Sequence, residues 1–212
     1  MRRARQDMIA ETRGKLIAAA RQAFGRVGYA AASMDDFTSA AGLTRGALYH
    51  HFGDKKGLLQ AVVDQIDAEM SARLKAIAAR APNRWQAVVD EWIAYVEMAL
   101  EPEIQRIMFR DAPAVLGDQS QCPSAKSCID GLTASLAALK QDGVLIDGDP
   151  EALARLINGA STHAAVWIAG SSDPEATSKK AVAGFRQLLD GLLRQPPSDN
   201  REPGRSPSST SD

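Results

Sequence analysis

The chain has 212 residues, of which 45% are hydrophobic and 24% are charged, with a formal net charge of −1 and two cysteines. A chain of this length buries enough apolar surface to fold without disulfides or structural metals. It has no apolar run of the roughly 18 residues that a membrane span requires and no apolar stretch behind its charged start, so we expect a cytoplasmic protein with no membrane contact and no secretory signal.

Charge is distributed unevenly along the chain. Residues 1–60 carry ten Lys and Arg side chains against five Asp and Glu side chains, a net charge of +5, and the remaining residues have a net charge of −6. A basic segment attached to an acidic body is typical of a protein that meets a polyanion at one end. Because charge fluctuates along any chain, this pattern alone leaves nucleic-acid binding as one of two open interpretations.

Apolar residues recur at helical spacing along the chain, which predicts an all-α fold. At the basic end, Gly28 and Gly42 end two predicted helices, and Ser33 and Thr44 cap the second and third. The helices predicted in this region span residues 8–27, 34–41, 45–51 and 55–79. The second and third are short, and one tight turn separates them.

Proline and glycine divide the rest of the chain into further predicted helices. These helices span residues 84–100, 102–109, 128–141, 150–169 and 174–193. Residues 117–127 are polar and rich in turn-forming side chains. Residues 195–212 are rich in proline and serine and contain no apolar side chain, so we expect a disordered tail there.

The segment SMDDFTSAAGLTRGALYHHF, residues 33–52, has the features of a helix-turn-helix. Small residues stand where its two short helices must approach each other. The helix after the turn is too short to be stable alone, so its apolar side must pack on its surroundings. Its other side then presents Arg45, Tyr49 and His50 outward, and Gly46 permits close approach of the backbone.

These outward side chains suit contact with DNA. Arg45 lies one residue inside the helix N-terminus, where it can bind a guanine edge through two hydrogen bonds, worth about 1–3 kcal/mol of discrimination. The Tyr49 hydroxyl and the Lys55 ammonium can reach phosphates or bases. A ring nitrogen of His50 or His51 can do the same. For Tyr49 and His51 a second interpretation stays open, in which they pack at a helix corner and touch no DNA.

Ser33 and Thr44 also belong to the candidate interface. Both stand at helix starts, where unpaired backbone N–H groups favour an anion such as a phosphate. The two adjacent histidines do not predict a metal site, because neighbouring helical residues point apart and no Cys, Asp or Glu beside them completes a ligand set. We therefore expect no metal and no cofactor.

These residues resemble the TetR family of bacterial transcriptional regulators over about residues 9–63. The resemblance rests on Thr12-Arg13, Ala19-Ala20, Phe24, Gly28-Tyr29, Ala41-Gly42-Leu43, the run GALYHHF, and the closing Lys55 and Leu58-Leu59. The GALYHHF run with its downstream lysine is highly specific. Phe37 departs from the family, which usually has an aliphatic residue there, and we interpret it as a core substitution.

The resemblance implies a homodimer whose two helix-turn-helix units enter successive major grooves of a palindromic double-stranded DNA operator, about 34–36 Å apart. Most members are repressors that leave DNA when a small-molecule effector fills the C-terminal helical domain. By position, the family's groove and backbone contacts fall on Thr44, Arg45, Gly46, Tyr49 and His50. Its phosphate contacts fall on Ser33, His51 and Lys55.

The expected architecture has three parts. Residues 1–54 form an N-terminal three-helix bundle with the helix-turn-helix, residues 55–194 a C-terminal antiparallel helical domain for ligand binding and dimerisation, and residues 195–212 the tail. Within the second part, the run Arg110-Asp111-Ala112-Pro113 resembles a turn between two sensor helices in one type of these regulators. The last two predicted helices are amphipathic and suit a four-helix bundle between two chains.

An effector pocket is expected inside the antiparallel helices, between about residues 83 and 170. Its candidate lining residues are Trp92, Tyr95, Phe109, His163 and Trp167. The alternative is that these large side chains form the core. His163 and Trp167 are four residues apart and share a helix face, so they serve either as ligand contacts or as dimer contacts.

Two further groups of residues stay open between a structural and a functional interpretation. Arg106, Arg110 and Asp111 form a structural ion pair, which we favour, or recognise a charged effector. Cys122 and Cys128 lie in a loop-like stretch and form either a redox-switch disulfide or two reduced thiols. We favour reduced thiols, because little in the neighbouring sequence would activate a thiol.

The leading functional hypothesis is a DNA-binding regulator, a repressor that an effector releases from its operator. The first alternative is an all-α enzyme, which needs a nucleophile–base pair or a metal. The chain has three histidines, two of them in the helix-turn-helix, and lacks the HExxH, GxSxG and CxxC patterns. The second alternative is a helical protein-interaction module, and the basic charge of residues 1–60 argues against it.

Overall fold

The computed structural model describes residues 2–117 and 123–194, with side chains over 6–117 and 124–194. Within these ranges the chain is helical, with one isolated β-bridge between Leu145 and Leu193 and no sheet. The α-helices are α1 (Arg2–Val27), α2 (Met34–Ala40), α3 (Arg45–Phe52), α4 (Lys55–Ala78), α5 (Arg84–Glu97), α6 (Pro102–Arg106), α7 (Ala112–Leu116), α8 (Pro123–Gln141), α9 (Pro150–Gly170) and α10 (Pro174–Asp190). The predicted all-α fold is confirmed.

Side-chain caps set the starts of α2 and α3. The Ser33 hydroxyl accepts a hydrogen bond from the Asp35 N–H at 3.2 Å, and Thr44 Oγ1 accepts one from the Ala47 N–H at 3.3 Å. Between the two helices, Gly42 has a φ of +65°, a left-handed conformation that favours glycine. Both predicted caps are confirmed, and the helix-turn-helix forms where the sequence places it.

A shared apolar core holds α1, α2, α3 and the start of α4 together. Its fully or almost fully buried side chains are Leu16, Ala20, Phe24, Phe37, Leu48, Leu58 and Leu59. The rings of Phe24 and Phe37 meet edge to face, with centroids 5.6 Å apart. Phe37 is therefore a core residue, as predicted. Because Leu48 is buried on one side of α3, the other side of this helix must face outward.

The later helices pack against one another in a bundle that shares α4 with the N-terminal group. Helix α4 contacts α1, α3 and α5, and α8, α9 and α10 complete the bundle. The described end of the chain is fixed to the loop after α8, since the Arg194 N–H donates to the Val144 carbonyl at 2.9 Å. No helix among the described residues combines the length and apolar character that a membrane crossing needs.

Residues 102–116 are helical throughout, which corrects the sequence prediction of a helix that ends before Pro113. A proline inside a helix interrupts the regular hydrogen-bond ladder because it has no N–H. Here a π-helical turn (Ile107–Asp111) joins α6 to α7, and the Ala112 N–H bonds to the Ile107 carbonyl five residues back. The chain absorbs the proline without leaving the helix.

Two predictions fall on parts of the chain that lie outside the described residues. One is the disordered tail (195–212), and the other is the redox state of the cysteine pair, because Cys122 is not described. Cys128 is exposed on α8. Both stay predictions.

Candidate nucleic-acid interface

One side of α3 is exposed and forms the candidate recognition face, which consists of Thr44, Arg45, Gly46, Tyr49 and His50. Tyr49 is 48% exposed although it is a large aromatic side chain. Exposed hydroxyl, guanidinium and imidazole groups on one helix face can bind phosphates and base edges. The outward orientation predicted for this face is confirmed, and the contacts with DNA stay predictions.

Arg45 is held by a carboxylate that the sequence did not identify as functional. Its Nε and Nη2 donate to the two carboxylate oxygens of Asp35, which lies in the first turn of α2. The hydrogen bond from Arg45 lowers the pKa of Asp35, and Asp35 raises the pKa of Arg45. The sequence does not indicate this role, because a carboxylate in the first turn of a helix is already explained by its favourable interaction with the helix dipole.

The end of α3 is fixed to α1 through Arg13. Its Nη1 donates to the carbonyl of His51 at 3.2 Å, and its guanidinium lies 4.5 Å from the centroid of the Phe52 ring. His51 is half-buried and contacts the His50 ring, with centroids 5.2 Å apart. His50 is exposed, so it is the more accessible of the two imidazoles.

Lys55 lies at the edge of the interface, turned toward the rest of the protein. Its ammonium lies 4.5 Å from the centroid of the Tyr29 ring, a cation–π contact. Burial lowers the pKa of Lys55, against the opposing effect of the Asp111 charge. The Ser33 hydroxyl is already used as the cap of α2. The phosphate contacts of Lys55 and Ser33 stay predictions.

Residues 26–29, at the end of α1, contact Arg106 and Asp111 in what we call the junction. The Asp111 carboxylate accepts the Tyr29 N–H at 2.7 Å, and Arg106 Nη1 donates to the Arg26 carbonyl at 3.1 Å. Gly28 has a φ of +83°, and a Cβ there would lie 3.6 Å from both charged side chains. The junction thus joins the end of α1, on which α2 and α3 pack, to the end of α6 and the π-helical turn.

Arg110, in the same π-helical turn, contacts a different helix. Its Nε donates to the Ala169 carbonyl at 2.7 Å, at the C-terminal end of α9 where a cation is favoured. Arg106 and Asp111 therefore bind backbone groups at the end of α1, and Arg110 binds the backbone at the end of α9. The ion pair that the sequence favours among them is wrong.

Arg21 adds a second link between α1 and the later helices. It donates to Glu103 of α6 at 2.9 and 2.8 Å and to Glu69 of α4 at 2.7 Å. These bonds raise the pKa of Arg21 and lower the pKa of Glu69. The sequence alone does not reveal this cluster, because Arg21, Glu69 and Glu103 are far apart in the chain and no local pattern identifies them as partners.

Three of the predicted effector-site residues form an aromatic cluster inside the bundle. The Tyr95 ring lies 6.2 Å from the Trp92 ring and 5.9 Å from the Phe109 ring, and Trp92 and Phe109 are buried. Burial raises the pKa of the Tyr95 hydroxyl, which faces Thr162 of α9. The cluster fits either a part of the core or one wall of a ligand site. Both interpretations from the sequence therefore stay open.

The other two predicted effector-site residues are not inside the bundle. Trp167 is 49% exposed and His163 is exposed, both on the side of α9 that faces away from the core. The structure places them outside the bundle interior in which the effector pocket was expected, and their roles as ligand or dimer contacts stay predictions. Leu156 and Val166 of α9 and Leu188 of α10 are exposed apolar side chains as well, and with His163 and Trp167 they define what we call the outer face of α9 and α10. Of their two predicted roles, the dimer contact fits this placement.

A surface cleft of about 400 Å³ opens where α5 begins and α8 ends. It is lined by Asn83, Arg84, Trp85, Leu139, Asp142 and Val144. Arg84 and Asp142 form an ion pair there, at 3.0 Å. The aromatic cluster does not line this cleft; its side chains pack with the main hydrophobic core.

Comparison with known protein families gives two matches. Residues 16–62 match the family described as bacterial regulatory proteins, tetR family, and residues 85–192 match a tetracyclin repressor-like C-terminal domain. The first match contains the recognition face, and the second contains the aromatic cluster and the outer face of α9 and α10.

Individual relatives extend these matches over the whole fold. A TetR-family transcriptional regulator of known structure from Pectobacterium atrosepticum is 52% identical, with a TM-score of 0.83 over 90% of this chain and 98% of that one. The Tn10 TetC protein of Escherichia coli is 28% identical over 192 residues, 88% of this chain and 95% of its own. The HTH-type transcriptional regulator TtgR of Pseudomonas putida is 45% identical over only 56 residues, about a quarter of each chain.

Proposed function

Because the chain belongs to the TetR family of DNA-binding transcriptional regulators, we propose that it represses transcription by binding a palindromic operator as a homodimer. A small-molecule effector releases it from DNA. It acts in the cytoplasm, where its DNA target lies, with residues 1–54 binding DNA and residues 55–194 binding effector and partner. The exposed recognition face of α3, set on a buried apolar core, is the observation that carries this proposal.

Charge and geometry support DNA as the target of this face. Residues 1–60 have a net charge of +5, which attracts a polyanion. Arg45 and Tyr49 project from the start and middle of α3, where a recognition helix reads bases. The positive end of the helix dipole at the start of α3 also favours a phosphate. In this proposal α3 lies in the major groove.

The outer face of α9 and α10 supports the homodimer. It exposes Leu156, Val166, Trp167 and Leu188 together, which is more apolar surface than two solvent-facing helices of a monomer need. A second copy related by a twofold axis covers the same residues on both chains. The product is a four-helix bundle, and it presents two copies of α3 to one duplex.

The junction supports release by an effector. The π-helical turn bonds to α9 through Arg110 and to the Tyr29 N–H, just after α1, through Asp111. Arg106, the last residue of α6, bonds to the Arg26 carbonyl beside it. The π-helical turn also contributes Phe109 to the aromatic cluster. A ligand that displaces this ring therefore moves a segment directly bonded to the end of α1, the helix on which α2 and α3 pack. We propose the cluster of Trp92, Tyr95 and Phe109 as one wall of the effector site.

Selection from a library of random duplexes tests the proposed function. The full-length chain is expected to recover an inverted repeat whose half-sites lie about one helical turn apart. Its affinity for the recovered duplex is expected to fall about 10³–10⁵-fold between 50 and 200 mM salt, since a dimer of this kind contacts 6–10 phosphates. Recovery of no shared motif, or binding that does not respond to salt, would contradict the proposal.

Replacing Asp111 by alanine is expected to loosen the junction. The change leaves the part-buried Tyr29 N–H without its acceptor, which lowers the free energy of unfolding by about 1–3 kcal/mol. Hydrogen exchange at the Tyr29 amide is expected to become faster, and denaturant unfolding measures the stability loss. Asp111→Asn keeps a carbonyl oxygen at the site and serves as the control. Unchanged exchange in the alanine variant would show that the junction is not closed by this bond.

A further inference from the structure

Asp35 and Arg45 form a two-point ion pair across the turn between α2 and α3. Nε and Nη2 of Arg45 each donate to a different carboxylate oxygen. The two side chains stay 62% and 57% exposed, so the pair contributes little to stability. It stands on the surface proposed to meet DNA, next to the start of the recognition face.

The ion pair uses only one edge of the guanidinium. Arginine has five N–H donors in a rigid plane, and Asp35 accepts from the edge formed by Nε and Nη2. The edge formed by Nη1 and the second N–H of Nη2 points along the side chain and stays available. Guanine O6 and N7 need two parallel N–H donors of this kind. Asp35 and a guanine therefore do not compete for the same donors of Arg45.

We propose that Asp35 is a positioning residue that determines specificity, because it holds Arg45 with the Nη1–Nη2 edge directed at a guanine in the major groove. This inference rests on the base-reading role proposed for Arg45. An arginine that is already held in one rotamer loses less conformational freedom when it docks. Asp35 itself is fixed at the start of α2, where its N–H bonds to the Ser33 hydroxyl.

The charge of Asp35 has a second consequence for binding. A carboxylate beside the guanidinium repels phosphates, so Arg45 is disfavoured as a general backbone contact. Asp35 then lowers affinity for unrelated DNA while it supports the reading of one base. Removing the Asp35 carboxylate is therefore expected to change specific and non-specific binding by different factors. A simple loss of negative charge would change both by the same factor.

Asp36 is a matched control for Asp35. It is the next residue in the same first turn of α2, it is exposed, and it carries the same charge. Within the described part of the chain, Asp36 forms no ion pair with Arg45, whose carboxylate partner is Asp35. Asp36→Asn therefore removes a negative charge near the interface and leaves the position of Arg45 unchanged.

The test compares full-length variants on a duplex that the wild-type chain recovers from a random library. The Arg45→Ala variant is first measured on duplexes in which each base of a half-site is replaced in turn. The guanine whose replacement no longer changes the affinity of this variant is the base that Arg45 reads. At that position Asp35→Asn is expected to lose about three- to tenfold of the discrimination against other bases. Its affinity for unselected duplexes is expected to stay equal or rise. Asp36→Asn is expected to discriminate as the wild type does, and Asp35→Asn added to Arg45→Ala is expected to have no further effect on discrimination.

Several outcomes would overturn the inference. If the Asp35→Asn variant discriminates between bases as well as the wild type does, the inference is wrong. It is also wrong if the variant binds selected and unselected duplexes more tightly by the same factor, because that result indicates an effect of charge alone. In both cases the proposed function stands. A wild-type chain that recovers no motif overturns the proposed function and the inference together. Circular dichroism and thermal unfolding of each variant establish that it is folded.

Discussion

Arg45→Ala is expected to remove most of the sequence-specific affinity of the regulator and to leave the fold intact. A two-hydrogen-bond contact between arginine and guanine is worth about 1–3 kcal/mol, and a homodimer makes the contact once in each half-site. The combined loss is therefore about 30-fold or more in affinity for the selected operator. Because Arg45 is exposed and packs in no core, the free energy of unfolding is expected to stay nearly constant.

The measurement is a binding titration on the selected operator and on an unrelated duplex of the same length. Arg26→Ala is the matched control, because the Arg26 side chain is also exposed and Arg26 takes part in the junction only through its backbone carbonyl, which alanine keeps. We expect this control to lose affinity equally on both duplexes. If Arg45→Ala also weakens binding equally on both duplexes, Arg45 contacts phosphates and another residue of the recognition face reads the bases.

The helix-turn-helix was predictable because its signals are local. Ser33 and Thr44 cap the first turns of α2 and α3, and Gly42 adopts the left-handed conformation in the turn between them. Leu48 fixes which side of α3 is buried. Each of these features depends on residues that are close together in the sequence, so periodicity and capping rules were sufficient to predict the helix-turn-helix.

The positions of His163 and Trp167 were not predictable in the same way. Helix α9 carries buried residues such as Ile157 and Ile168 on one side and exposed apolar residues such as Leu156 on the other. Periodicity identifies an apolar stripe, but it does not say whether the stripe faces its own chain or a second copy. For a helix with two apolar sides, the sequence therefore does not distinguish the residues that face the interior from those that face an interface.

Contacts over long sequence separations account for the other differences. Arg106, Arg110 and Asp111 are close in sequence, which favours an ion pair among them. In the structure, Arg106 at the end of α6 and Asp111 in the π-helical turn bind backbone groups at the end of α1, and Arg110 binds the backbone of α9. The Asp35–Arg45 pair likewise forms only after the helix-turn-helix folds. Charged side chains have many possible partners, and tertiary geometry selects among them.

Leu188→Glu is expected to separate the proposed dimer into folded monomers. Leu188 is 65% exposed in the single chain, so a polar side chain there leaves the core of one protomer intact. In the dimer the same position is covered by the partner, and two buried carboxylates near a twofold axis lack compensating charges. Loss of the second recognition helix is expected to reduce operator affinity by about 10²–10⁴-fold.

Ala183→Glu is the control for this variant. Ala183 is exposed on α10 and lies five residues from Leu188, about 140° around the helix, so it adds the same charge outside the outer face. This variant is expected to remain a dimer in sedimentation equilibrium and to bind the operator normally. If Leu188→Glu also remains a dimer, the two chains associate through another surface.

The monomeric variant also separates the two contributions to operator binding. Each chain keeps its own recognition face, so Leu188→Glu is expected to bind a duplex with a single half-site as weakly as the wild-type chain does. Its salt dependence is expected to have about half the slope of the wild-type dimer, because the number of released counterions follows the number of phosphates contacted. A full slope together with monomeric protein would mean that one chain contacts all the phosphates, and the twofold arrangement proposed for the operator complex would then be wrong.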